Sequence, residues 1–333
     1  MTSTAAALGT SAFSMPTIGW GFLGAGHIAT TNVGPAVHGL AGAQLRIAAG
    51  RNLERTAALG AARSTTDYAA VLEDASVDVV YIALHNSAHA TWAIRALEAG
   101  KHVLCEKPLG VSSSEVRAMS RAAKVAGRLL VEAAWNRWHP RSRDLERLLK
   151  QGAVGEVRYV EAIFDGADPA PGNYRRDASL GGGALLDVGC YTVAAILTAY
   201  DWALPKLAAV HRETWSDGSA EVRTSASLLF DKGAAYVHAS LTGLGREALA
   251  IYGTSGTLRM DHPFTAAREP VELLVGTSSG VESRRYAPVD PYTLMVAEVT
   301  RAVAGDHSTL LVPLGQSLAV AEVLDAIATS GRV

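Results

Sequence analysis

The 333-residue chain predicts an α/β fold in two parts: a doubly wound sheet first, then an α+β domain with a large, mainly antiparallel open sheet. Three observations carry this expectation. A glycine turn, Gly24-Ala25-Gly26-His27-Ile28-Ala29, lies between an apolar run and a helical pattern. Strand and helix patterns then alternate up to residue 133. Beyond residue 136 strands follow one another with one long helix interposed. A single core rarely grows past roughly 250 to 300 residues, so the length agrees with two domains.

The elements follow in order. Residues 17–23 form an apolar strand ending at Gly24, and 26–40 have helical spacing with a kink expected at Gly34-Pro35. Residues 44–49 predict a second strand, and Asn52 a cap for a helix running through Arg55 toward Gly60. A buried strand over 78–83 precedes a helix over 89–99, whose Ala90, Ala93, Ile94 and Leu97 share a face before Gly100. Residues 102–105 give the next strand. Ser112 and Glu115 form a capping box for a helix that carries Val116, Met119 and Ala123 to Gly127, and 129–133 close the unit.

Residues 140–151 form an amphipathic helix, followed by strands over 156–164, 206–213, 220–230, 234–240, 247–252 and 257–260. Asp290-Pro291 begins another helix, and 313–329 a last one that ends at Gly331. The division expected is a frayed tail over 1–15, a nucleotide-binding domain over 16–136 and a substrate-binding, oligomerising domain over 137–333.

Composition narrows the function. Charge is balanced at 30 basic against 32 acidic residues, with no basic run to track a phosphate backbone, so no nucleic-acid partner is expected. Residues 1–15 have no Lys or Arg before their apolar part, unlike a secretory signal. The sequence shows no run of about 18 apolar residues, and no membrane span is expected. Cys105 and Cys190 form no close pair, which suits a reducing, cytoplasmic setting.

The chemistry-bearing residues fall in several groups. Gly24 and Gly26, followed by His27 and Ile28, let a turn hold a pyrophosphate at a helix start, with Ala29 small enough for close packing. At the end of the second strand an acidic residue would select NAD; here Ala48-Ala49-Gly50-Arg51-Asn52 has none. Arg51 can fork onto a 2'-phosphate, which favours NADP over NAD, although it can also simply solvate a loop. Glu106-Lys107-Pro108 places an ammonium just after a strand, where doubly wound sheets hold ligands, with Glu106 near enough to keep the amine charged and oriented.

In Gly181-Gly182-Gly183 through Asp187 and Tyr191, helical spacing stacks the aspartate and tyrosine on one face. They read either as an acid/base pair, with Lys107 depressing the phenol's pKa, or as a core tyrosine beside a capping aspartate. His85 and His89 lack a third metal ligand, so no metal is expected; a cofactor or substrate cleft suits at least one of them. Trp135 to Pro140, with Asn136, Arg137 and His139, suits either a hydroxylated ring substrate or a packed hinge. Arg175 and Arg176 either grip an anion or face water.

The ordered set of the glycine turn, Ala99-Gly100-Lys101-His102-Val103-Leu104-Cys105-Glu106-Lys107-Pro108-Leu109, and Gly181-Gly182-Gly183 through Asp187 and Tyr191 resembles the Gfo/Idh/MocA oxidoreductases from Pro16 onward. The resemblance implies an N-terminal Rossmann domain, an open C-terminal sheet through which many members form dimers or tetramers, and a lysine at 107 that contacts the reacting oxygen, often before a cis proline. Asp187 matches the family's aspartate. Tyr191 stands where inositol and glucose dehydrogenases carry histidine, and resembles instead the branch of sugar 3-ketoreductases and dihydrodiol dehydrogenases, as does the segment 132–140. His85 replaces a common proline.

The function expected is reversible hydride transfer at a carbinol or ketone carbon of a sugar, keto sugar or cyclic polyol, by a homodimer or homotetramer. Lys107, Tyr191 and Asp187 would be catalytic; Gly24, Gly26, His27, Ile28, Arg51, Leu84, His85, Asn86, His89, Glu106 and Lys107 would hold the cofactor; Asn136, Arg137, His139 and Arg175 would hold the substrate. Competing expectations are a dihydrodiol dehydrogenase, an NAD-dependent glycoside-cleaving enzyme, and a non-catalytic nucleotide sensor.

Overall fold

The structure, a computed structural model, describes residues 16–265 and 269–330. The expected tail over 1–15 and the stop at Gly331 lie outside the described residues.

The first sheet contains β1 (Ile18–Leu23), β2 (Ala43–Ala49), β3 (Arg63–Thr65), β4 (Val79–Ile82), β5 (His102–Cys105) and β6 (Leu130–Glu132), ordered β3-β2-β1-β4-β5-β6 and parallel throughout. β1, β4 and β6 are buried along their whole length, as strands covered on both faces must be. Strand order reverses between β1 and β4, so their C-terminal ends open a crevice.

Helices α1 (Gly34–Gly39), α2 (Leu53–Ala57), α3 (Ala69–Glu73), α4 (His89–Glu98) and α5 (Ser113–Ala126) connect these strands. The kink expected at Gly34-Pro35 is a π turn over Ala29–Val33, in which Gly34 N–H donates to Ala29 O. Asn52 caps α2 by accepting from Arg55 N. Ser112 Oγ accepts from Glu115 N as expected, but Glu115 reaches back to Val111 N–H rather than to the cap residue.

The second sheet follows α6 (Pro140–Lys150). It contains β7 (Val157–Asp165), β8 (Lys206–Thr214), β9 (Glu221–Phe230), β10 (Gly233–Ser240), β11 (Glu247–Gly253), β12 (Gly256–Asp261), β13 (Val271–Thr277) and β14 (Gly280–Tyr286), with α7 (Cys190–Ala199) between β7 and β8. Its order is β14-β13-β12-β11-β7-β10-β9-β8, antiparallel except where β10 runs parallel to β7. The alternation of buried and half-buried residues from Glu221 to Leu228 of β9 marks a sheet with one covered face. The hairpin β13–β14 was not expected. β14, GVESRRY, pairs with β13 alone and carries mostly exposed polar side chains, so it lacks apolar alternation.

Two C-terminal helices, α8 (Pro291–Val303) and α9 (Leu314–Thr329), return to the first domain. Tyr292, Met295, Val296 and Val299 share a core with Trp20 and Phe22, while Ala321 of α9 joins the core on the other face with Leu97 and Met119. The segment placed by sequence in the second domain thus completes both faces of the first.

The expectation of no run apolar enough to cross a bilayer needs correction. Ala178–Ala199 passes by length and composition. In the fold 78% of that window is buried, and Val193, Ile196 and Leu197 pack in the second domain's core. Both cysteines are buried and unpaired.

Candidate active site

Lys107 leaves the C-terminal end of β5, and the Lys107–Pro108 peptide is cis. Asp187 lies in a π turn over Leu185–Gly189, directly before Tyr191 in the first turn of α7. Glu221 anchors the start of this stretch by accepting from Leu185 N–H at 2.5 Å. Gly183, at φ +112°, must be glycine there: a Cβ would lie 1.8 Å from the Glu221 carboxylate.

Lys107 Nζ donates to the Asp187 carbonyl at 2.7 Å and to Asp187 Oδ1 at 3.0 Å. Arg175 Nε donates to Asp187 Oδ2 at 2.7 Å. One buried carboxylate therefore joins a cation from each domain. An ammonium has three donors, and with two spent on Asp187 one remains for a ligand. Burial opposes the charge on Lys107, but Asp187 and the nearby hydroxyl and thiol groups outweigh it and hold the amine well above its usual range. Burial also opposes the Asp187 charge; Lys107 and Arg175 overcome it and keep the carboxyl below its usual range.

Tyr191 faces the same centre, with Lys107 Nζ 5.0 Å from its ring centroid. The expected depression of its pKa is corrected here. Burial is the strongest influence and raises it; Lys107 pulls the other way without prevailing. The phenol is protonated at neutral pH, and Trp135 Nε1 donates to its oxygen at 2.8 Å. Phe164 and Phe264 flank the ring, with centroids at 5.6 and 5.9 Å. Glu106 is also corrected: it accepts from Tyr81 Oη at 2.6 Å, and burial raises its pKa. Asp187, not Glu106, is the carboxylate paired with Lys107.

The glycine turn sits at the end of β1. Gly24 has φ +101°, and a Cβ on it would lie 2.3 Å from Ala83 O, whereas one on Gly26 meets only Ala83 O at 3.9 Å. The turn therefore needs its first glycine for shape and is open above the second. His27 is exposed and Ile28 half-buried beside it. Leu84 reaches toward Gly24. Arg51 is exposed just beyond β2, near enough to His85 that its charge, after burial, lowers that imidazole's pKa. An open backbone turn and the β1/β4 crevice fit a dinucleotide.

Three expected contacts are used elsewhere. His89 is fully buried, with Nδ1 facing the Pro108 carbonyl at 2.9 Å and Nε2 the Leu84 carbonyl at 3.2 Å; burial pushes its pKa down to about 4. As a neutral ring it carries one N–H, so it donates to one of these two carbonyls, and it sits buried between the Leu84 and Pro108 loops. Asn86 is buried and donates to Gly181 O at 2.8 Å, joining the domains. His139 is buried and caps α6 by accepting from Arg141 N at 3.0 Å. It does not line either cavity beside Tyr191. Those cavities, of about 40 and 20 Å³, are both bordered by Asn136 and Arg137, and Arg137 pairs with Glu146 at 3.0 Å. Arg176 pairs with Asp168 at the surface. A cavity of about 630 Å³ beside Arg141 and His262 includes neither Lys107 nor Tyr191.

Sequence reasoning missed Phe164, Phe264, Tyr292 and Glu221. The first three read as core aromatics, and nothing local in 221–230 marks its first carboxylate as a partner of the Gly183 turn.

Residues 18–133 match the family model described as oxidoreductase family, NAD-binding Rossmann fold, and residues 142–259 match the GFO/IDH/MocA C-terminal domain. The chain belongs to the GFO/IDH/MocA oxidoreductase family. As a member it is an NAD(P)-dependent oxidoreductase. It is 33% identical to the D-xylose 1-dehydrogenase (NADP(+)) 2 of Haloferax volcanii, over 94% of this chain and 97% of that one. It is 33% identical to the dTDP-3,4-didehydro-2,6-dideoxy-alpha-D-glucose 3-reductase of Actinomadura kijaniata, over 80% of each. The crystal structure of KijD10, a 3-ketoreductase from Actinomadura kijaniata in complex with NADP and TDP-benzene, superposes with a TM-score of 0.86 at 27% identity, covering 95% of this chain and 98% of that one. In this GFO/IDH/MocA chain the two matched regions carry the two halves of the site, Lys107 in the first and Asp187 with Tyr191 in the second.

Proposed function

We propose that the protein is an NADP(H)-dependent oxidoreductase that interconverts a carbinol and a ketone on a sugar, keto sugar or cyclic polyol. The observation that carries the reading is the convergence of Lys107, Asp187 and Tyr191 from the two domains. The 3-ketoreductase and xylose dehydrogenase relatives support the substrate class, and Arg51 with the NADP-bound structural relative supports the cofactor.

The nicotinamide, when bound, supplies or accepts the hydride. Gly24 and Gly26 would admit its pyrophosphate, and Arg51 would pair with the 2'-phosphate. In the reducing direction Lys107 directs its remaining donor at the substrate carbonyl oxygen. As the carbonyl carbon receives hydride, that oxygen takes the proton from Tyr191 Oη, and the phenolate left behind is stabilised by the ammonium that faces its ring. Fixed donors placed where charge develops lower the barrier. Asp187 keeps Lys107 charged and aimed. Asn136, Arg137 and the free edge of Arg175 would receive hydroxyls or an anionic substituent.

The packing of Phe164, Phe264 and Trp135 around the Tyr191 ring favours a second reading, a cyclic diol oxidised as by the trans-1,2-dihydrobenzene-1,2-diol dehydrogenase of Danio rerio, which is 33% identical over 69% of this chain. Titration with NADPH and NADH, followed by nicotinamide absorbance across sugars, keto sugars, inositols and diols, tests both. Turnover of sugars or inositols supports the first reading, and turnover of cyclic diols alone supports the second. No turnover of any substrate with either nucleotide would remove both.

A further inference from the structure

We propose that Trp135 is the positioning residue of the proton-transferring phenol: its indole N–H fixes the direction of the Tyr191 hydroxyl and stabilises the phenolate that remains once the proton has left. The proposal rests on the hydride-transfer reading above.

The indole nitrogen and the phenolic oxygen are 2.8 Å apart, between side chains that are both buried. An indole nitrogen only donates, so Tyr191 must accept, and its own hydrogen points away from Trp135. Neither ring is free to swing. The indole stacks on Tyr292 with centroids 4.7 Å apart and planes 17° from parallel, while the phenol is packed by Phe164 and Phe264. The indole comes from the loop after β6, the phenol from α7 and Tyr292 from α8, so three separate elements set one O–H direction.

Before proton transfer the contact joins two neutral groups. Afterwards the carbonyl carbon has gained hydride, its oxygen holds the Tyr191 proton, and Tyr191 Oη carries the negative charge. The same N–H then makes a charge-assisted bond, about twice as strong as a neutral one. An interaction that strengthens along the reaction raises kcat rather than substrate affinity. Lys107 shares the task, but two of its three protons serve Asp187. The Trp135 N–H donates to the phenol alone.

The test compares wild type, Trp135→Phe, Tyr191→Phe and the double variant, with the best nicotinamide and substrate found for the wild type. Trp135→Phe keeps an aromatic ring against Tyr292 and removes only the donor. Its kcat is expected to fall about ten- to a hundredfold, the value of one hydrogen bond to a charged group, with KM and NADPH affinity within about twofold. Its solvent deuterium isotope effect on kcat should rise as proton transfer becomes more limiting, and in the Tyr191→Phe background the same change should cost almost nothing.

If Trp135→Phe does not fold, benzothienylalanine at position 135, which keeps the indole's shape without its N–H, gives the same comparison. A Trp135 variant with wild-type kcat, or with an equal loss in the presence and absence of the Tyr191 hydroxyl, overturns the proposal while leaving the hydride-transfer reading intact. A fully active Tyr191→Phe, or a wild type inert toward every substrate, overturns both.

Discussion

Lys107 and Tyr191 meet with the ammonium nitrogen 5.0 Å from the phenol ring centroid, although one follows a strand of the first sheet and the other begins a helix of the second domain. Neither segment is a site alone. Lys107→Met and Tyr191→Phe should each lower kcat by about 10² or more, the usual scale for general acid–base groups, with NADPH affinity changed by less than about threefold. Steady-state kinetics and fluorescence titration check both expectations.

Asp187 holds two cations, so Asp187→Asn removes the charge that both need. Leaving a buried ion without its partner costs roughly 3 to 5 kcal/mol. The midpoint of thermal unfolding should drop clearly, and kcat should fall through the misplaced Lys107. Calorimetry and kinetics on the same preparation check the pair of effects.

The protonated state of Tyr191 sets a direction for the pH profile. With the phenol's pKa raised by burial, reduction, which needs the proton, should hold level through neutral into alkaline pH. Oxidation needs the proton absent, so its kcat should climb with pH and show no plateau below about pH 10, the ordinary value for tyrosine. Initial rates in both directions across buffers decide this.

Arg51→Ser should weaken NADPH by about tenfold or more while leaving NADH nearly unchanged, because only the former carries the 2'-phosphate that a guanidinium can fork onto. Equal losses for both nucleotides would show that Arg51 contacts something else.

Glu221 offers a stability prediction. Burial pushes its carboxyl up to about 7, above an unfolded value of about 4.3. Between these values the folded chain binds the extra proton, so this group's contribution is complete at low pH and is lost as pH rises through 7. Glu221→Gln can still accept from Leu185 N–H without the charge. It should unfold at a higher temperature than wild type at pH 8.5 and at nearly the same temperature at pH 4, below the unfolded pKa, by differential scanning calorimetry.

Much of this was legible in the sequence because it rests on local rules. The Asn52 and Asp290 caps, the Gly24 turn and the strand before Lys107 each depend on neighbours within a few residues, and each formed as expected. The partners of those groups were not legible. Glu106 sits beside Lys107 in sequence, yet Asp187 holds the amine because the tertiary fold, not adjacency, brings a carboxylate to it. His89 and His139 looked like ligands since histidine so often is one; burial instead sets His89 between two loop carbonyls and spends His139 Nδ1 on a helix cap. The shift of Tyr191 was misjudged in sign because a linear chain shows which charge is near but not how much water has been removed.

The most direct measurement is single-turnover transfer from C4-deuterated NADPH to a panel of keto sugars, with the product examined by mass spectrometry for wild type, Lys107→Met and Tyr191→Phe. Deuterium on the carbinol carbon with wild type, and its near-absence with either variant despite retained nucleotide binding, is the expected result. Undiminished deuterium transfer by both variants would contradict the account.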